Sequence, residues 1–193
     1  MPKTIELFMI DELDNIAYLD AIEDMRNEGW TWQDYDTDIL TDYFEVILEE
    51  DYAIVPEDLY WSLGYCKSDY VQIYKAYIED WDKFFAGLME FYSDDSVLNG
   101  LDAETIENLK LALGGIYKNR IDGNSYYLET DKEEELLDEL IKETGHYLEH
   151  IAQQLSEIGY NEIDYKYSEE YLKETALAND LYFTEKGKLM WGY

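Results

Sequence analysis

The sequence predicts an α+β fold, a helix-rich single domain with a small antiparallel sheet. Three observations carry that expectation. Apolar residues recur at helical spacing over much of the 193-residue chain, two runs are rich in Tyr, Trp, Val and Ile, and a glycine-containing turn follows a short apolar run.

Taken in order, residues 11–28 carry Leu13, Ile16, Ala17, Ala21 and Met25 as one helical stripe, with Gly29 as its stop. Residues 37–51 repeat the pattern through Leu40, Phe44, Ile47 and Leu48. Residues 58–65 and 70–76 read as two strands. Residues 79–92 form a helix around Trp81, Phe84, Phe85 and Leu88, and 102–114 form another, with Asp102 as N-cap. A hairpin follows, Ile116–Ile121 and Ser125–Glu129, turning through Asp122-Gly123-Asn124. Residues 131–158 read as a long helix with Leu136, Leu137, Leu140, Ile141, Leu148, Ile151 and Leu155 on one face. Gly145 costs it about 1 kcal/mol, and Gly159 ends it. A short helix starts near Ser168, and Phe183–Lys188 is a closing turn.

With only Pro2 and Pro56 as prolines and no Gly/Ser linker, the chain reads as one domain over 1–193. Two lobes are the alternative division, an acidic N-terminal lobe at 1–95 and a hairpin and long-helix lobe at 96–193. A single cysteine, Cys66, excludes an internal disulfide framework. The start reaches acidic residues too early for a signal peptide, and no run approaches the ~20 apolar residues of a membrane span. The expected location is cytoplasmic.

Charge is the dominant feature: 46 acidic against 14 basic residues, a formal net of −32. Phosphates would be repelled, so nucleic acid and anionic membranes are excluded as direct ligands. Residues 1–66 hold 18 acids and 2 basic residues, twice the charge density of the remainder. Together with 16% aromatic content, this describes a charged folded surface and not an acidic tail.

Asp34, Asp36, Asp38, Asp42 and Glu45 fall at positions 1, 3, 5, 9 and 12, the spacing of a calcium loop. Position 6, where such a loop needs glycine, is Ile39, and the helical period runs through the segment. An amphipathic helix with an acidic face is the expectation. His146-Tyr-Leu-Glu149-His150 matches the HxxEH order in which two imidazoles hold zinc and a Glu acts as base. No third ligand stands out, and the expectation is two histidines on a surface helix. No nucleophile elbow or phosphate-cradling glycine loop occurs, and Cys66 reads as an inert thiol. Trp30, Trp32, Tyr35 and Tyr43 lie in a stretch without Lys or Arg, so they read as core or protein interface and not as a stacking platform for bases. No metal and no other cofactor is expected, and no catalysis.

Three segments resemble a family of small proteins of tailed phages and prophages. Asp58–Val71 is similar to that family's WSLSYSQGDGV segment, with Lys67-Ser68-Asp69-Tyr70 where the family has a QGDG turn. Ile121–Tyr127 resembles its GxxYxH hairpin, without the histidine, and Leu177–Lys188 resembles its ANDYEFTEDGK ending. The resemblance implies a phage accessory setting, in which very acidic small proteins include antirestriction and anti-CRISPR DNA mimics.

Charge supports the same direction. Duplex DNA carries one charge per roughly 1.7 Å of axis, so 32 net charges match about 16 base pairs. Asp34, Asp38, Asp42, Glu45 and Glu49 recur at helical spacing, about 6 Å per step at 1.5 Å rise per residue, near the spacing of phosphates along a strand. With Asp36, Glu50 and Asp51 they form the expected contact surface for a partner. The expected function is inhibition or regulation of a basic, nucleic-acid-binding host protein, a restriction or CRISPR effector, with a homodimer compatible. The alternatives are an accessory interaction protein whose acidity serves solubility only, and a metal-dependent hydrolase using His146, Glu149 and His150.

Overall fold

Helical periodicity is realised along most of the chain. In the computed structural model, which describes residues 6–64, 69–128 and 130–190, the fold is helix-rich α+β. In chain order come α1 (Asn15–Asn27), α2 (Asp34–Tyr52), β1 (Ile54–Ser62), β2 (Tyr70–Ile78), α3 (Trp81–Tyr92) and α4 (Ala103–Ala112). Then follow β3 (Leu113–Tyr117), β4 (Ile121–Gly123), α5 (Asp131–Tyr167), α6 (Glu169–Ala178), β5 (Tyr182–Phe183) and β6 (Leu189–Met190). Cys66 lies outside the described residues.

Packing divides the chain into two units, Met1–Asp38 with Tyr160–Tyr193 and Ile39–Gly159. The division does not follow the expected 1–95 and 96–193 lobes. It falls inside two helices, where a break in local sequence pattern is not required.

In unit 1, Asp14 caps α1 by accepting the Ile16 and Ala17 N–H groups, both at 2.9 Å. The buried stripe of α1 is Ala17, Ala21, Ile22 and Met25, so expected Ile16 is instead 74% exposed. Of that stripe, Ala21, Ile22 and Met25 pack with Ile10, Leu172, Ala176, Phe183 and Leu189 into one core. The expected closing turn joins β5 to β6, which pair antiparallel, and Phe8 bridges to Phe183.

Unit 2 is built on an antiparallel sheet in the order β1-β2-β3-β4. Pro56 is tolerated because β1 is the edge strand, where a missing N–H breaks no ladder. The β1–β2 register shifts around Asp58, and the buried set of β2 changes phase with it, from Val71 and Ile73 to Ala76 and Ile78.

Two expectations are corrected here. The hairpin turns at Lys118-Asn119, both left-handed (φ 53° and 57°), and not at Asp122–Asn124. A two-residue loop of this kind needs positive φ at both positions. Asn119 is held there by β2: its side chain accepts the Ile73 N–H at 2.7 Å, and its own N–H donates to the Ile73 carbonyl at 3.0 Å. Residues 125–127 form a single 3-10 turn capped by Asn124, not a return strand. The second correction is Gly159, which does not end α5. The helix continues to Tyr167, and Gly159 is buried where a Cβ would strike Leu63 and meet Phe44 at 3.0 Å. The glycine provides room for a close approach, not a stop.

Candidate interaction surface

Helix α2 carries every residue of the expected contact surface. Its unit 2 stretch is anchored on one side by Leu40, Phe44 and Leu48, all buried. Phe44 meets Trp61 edge-on at 6.0 Å, and the Trp61 indole N–H donates to the Thr41 hydroxyl at 2.9 Å. This packing holds the backbone rigid and sets which residues face outward.

Asp42, Glu49, Glu50 and Asp51 are exposed and Glu45 is half-buried. Among the described residues none of these five carboxylates is ion-paired with a lysine, arginine or histidine. Lys83 reaches this helix, but it donates to the backbone carbonyl of Glu50. Burial, and then the charges of Asp42 and Glu49, raise the Glu45 carboxyl pKa above its ordinary value.

Beside the acids runs a feature that charge reading missed. Ile39, Tyr43 and Val46 are 59%, 47% and 46% exposed, at i, i+4 and i+7. Their spacing was readable, but nothing local distinguishes this stripe from a second core face.

In unit 1 the first turn of α2 behaves differently. Asp34 and Asp38 are exposed, whereas Asp36 is turned inward and does not belong to an outward surface. Its side chain is 2% exposed and pairs with Lys166 at 2.9 Å. It also accepts the Gln33 N–H at 2.8 Å, which ties down the start of the helix. Burial lowers the Lys166 pKa, and the hydrogen bonds to Asp36 and Tyr171 outweigh it, leaving the lysine above its ordinary value.

The calcium-loop spacing is unrolled into helix from Asp34 onward, Ile39 included. That geometry separates oxygens a loop would gather. His146 Nδ1 lies 3.1 Å from the Tyr92 hydroxyl, and His150 stacks on Phe91 at 4.7 Å. Among the described residues no group of three His, Cys, Asp or Glu side chains is disposed to hold a metal ion. None of the helices described is long and apolar enough to cross a membrane.

A second aromatic patch lies on the sheet. Tyr74 stands 5.0 Å from both Tyr60 and Tyr117, and the Lys118 ammonium sits over Tyr74 and Tyr117 at 5.4 and 5.1 Å. The Tyr74 and Tyr117 hydroxyls share a hydrogen bond at 3.0 Å. The patch is stabilised from within by its own cation.

Comparison of the chain with family models, curated proteins and solved structures produced no match.

Proposed function

We propose that this chain is an acidic inhibitor of the kind phages use, which occupies a basic, nucleic-acid-binding surface of a host defence protein, a restriction or CRISPR effector, in the host cytoplasm. The observation that carries the reading is the set Asp42, Glu45, Glu49, Glu50 and Asp51: carboxylates without ionic partners among the described residues, on a helix anchored by its buried face. Fixed carboxylates can meet a Lys/Arg groove without first being ordered, and the attraction between opposite charges steers the encounter, making it fast and salt-sensitive. Ile39, Tyr43 and Val46 favour a protein partner over acidity for solubility alone, since apolar exposure works against solubility. In this reading the chain needs no cofactor and performs no catalysis.

The test is a panel of purified restriction and CRISPR effectors, with DNA binding followed by fluorescence anisotropy at roughly 50 and 300 mM salt. At least one effector is expected to lose DNA binding at stoichiometric inhibitor, less so at the higher salt. The triple variant Asp42→Asn, Glu45→Gln, Glu49→Gln is expected to inhibit about tenfold more weakly. Equal inhibition by the triple variant, or no loss across the panel, overturns the proposal.

A further inference from the structure

Unit 1 contains a cleft of about 640 Å³ built at two helix ends. Helix α1 stops at Gly29, which is left-handed at φ 81°. The Gly29 N–H donates to the Arg26 carbonyl at 3.3 Å and the Trp30 N–H to that of Met25 at 3.0 Å, the paired bonds of a Schellman end. Helix α6 stops the same way on Asp180, with Asp180 and Leu181 N–H groups returning to Leu177 and Ala176 at 3.3 and 2.9 Å. Helix C-termini carry partial negative charge, so both ends favour a cation.

The walls add to that preference. Trp30, Tyr35, Tyr165 and Tyr171 supply ring surfaces, and Glu28 and Glu174 supply carboxylates. No Lys or Arg is among the described residues that line the cleft. Tyr165 and Tyr171 meet edge to face at 5.5 Å, and the Tyr165 hydroxyl donates to Glu174 at 3.1 Å. The Gln33 amide donates to the Thr31 carbonyl at 3.3 Å, and the Asn179 amide to that of Thr175 at 2.8 Å. Both residues direct N–H groups to the backbone, which leaves their carbonyl ends as acceptors. Ring faces, carboxylates and acceptors together suit a positively charged donor and offer little to an anion. Unit 1 already shows this chemistry internally: the Lys166 ammonium sits 4.5 Å from the Tyr171 ring centre while paired to Asp36. Because Asp36 neutralises that lysine, Glu28 and Glu174 keep their charge for a ligand.

We propose that this cleft binds an organic cation of the alkylammonium or guanidinium class, with the rings covering its carbon skeleton and Glu28 and Glu174 taking its charge. A free polyamine and an arginine side chain of a protein share this chemistry. The volume lies in the range of small-molecule sites, roughly 300–1,000 Å³.

The test follows the Trp30 indole N–H of the full ¹⁵N-labelled chain by NMR, assigned with Trp30→Phe, at roughly 150 mM salt. The probes are spermidine, arginine amide and citrulline amide, the last a neutral isostere of the second. Saturable shifts are expected with a cationic probe at a Kd of about 1 mM or tighter, and citrulline amide is expected to bind about tenfold more weakly. Tighter binding of spermidine assigns the site to free polyamines, and tighter binding of arginine amide assigns it to side chains. The double variant Glu28→Gln, Glu174→Gln is expected to weaken binding about tenfold. Asp138→Asn with Glu139→Gln, which removes the same charge from α5, is expected to leave it unchanged. No saturation by roughly 20 mM, equal binding of citrulline amide, or equal weakening by the α5 control overturns the proposal. The citrulline comparison uses the unaltered chain, so it decides the matter even if the cleft variant does not fold.

Discussion

Units 1 and 2 carry nearly equal charge per residue and use it in opposite ways. Unit 1 holds 18 acids and 6 basic residues over 72 positions, a net of −12; unit 2 holds 28 and 8 over 121, a net of −20. Along the chain, by contrast, the first 66 residues have twice the charge density of the rest. The fold evens this out because 160–193, with its four lysines, joins the acidic N-terminal segment in unit 1. Unit 1 then buries one of its acids, Asp36, against Lys166. Unit 2 leaves the α2 acids outward, beside an apolar stripe. Charge counted along a sequence therefore locates no surface; which carboxylates are neutralised and which are presented depends on what folds back onto them.

The largest test of that contrast is to remove a cation from each unit. Lys166→Met leaves Asp36 buried without its partner and is expected to cost about 3–5 kcal/mol by urea denaturation. Lys110 of unit 2 pairs with Asp82 and Glu107 at 2.5 and 2.7 Å, but those carboxylates are 86% and 65% exposed. Lys110→Met is expected to cost about 1 kcal/mol or less, since water re-solvates both acids. Similar losses for the two variants would erase the distinction drawn between the units.

Two glycines of α5 sharpen the packing side of unit 2. Gly159→Ala must displace Leu63 or Phe44 and is expected to lose about 1–3 kcal/mol. At Gly145 an added Cβ meets nothing within 4 Å, so Gly145→Ala is expected to gain about 1 kcal/mol from helix propensity alone. Thermal melts of both variants check the opposite signs.

The smallest effect belongs to Glu45. Its carboxyl is raised by burial and by Asp42 and Glu49, so the folded state holds the proton more tightly than the unfolded chain. The stability this proton provides is complete below the unfolded pKa of about 4.3 and is lost as pH rises through the folded value. At pH 7 the ionised group therefore opposes folding, and Glu45→Gln is expected to stabilise by about 0.5 kcal/mol after solvent screening is allowed for. The gain is expected to vanish near pH ~3, where the wild-type group is already neutral. A constant gain across that range would mean that packing, not charge, sets the behaviour of this residue.

The features legible in the sequence were those encoded within a few residues. Asp102 accepts the Thr105 N–H at 2.8 Å and Ser168 that of Tyr171 at 3.1 Å, as N-cap chemistry predicts. Gly29 stops α1 because a left-handed residue there completes local hydrogen bonds. The acids of α2 could be numbered and placed on a helix from their spacing. Asp36, however, has only the Gln33 N–H as a local partner, and its ionic partner is a lysine 130 positions away.

By itself, then, the sequence determined the α+β class, the helices with their caps, and the net charge of −32. These depend on side-chain periodicity, on bonds between near neighbours and on a sum over residues. Tertiary structure alone decided that Lys118-Asn119 makes the hairpin turn, that Gly159 admits Leu63 and Phe44 instead of ending α5, and that Lys166 silences Asp36. Each of those outcomes is set by a group distant in sequence, whose approach no local pattern records.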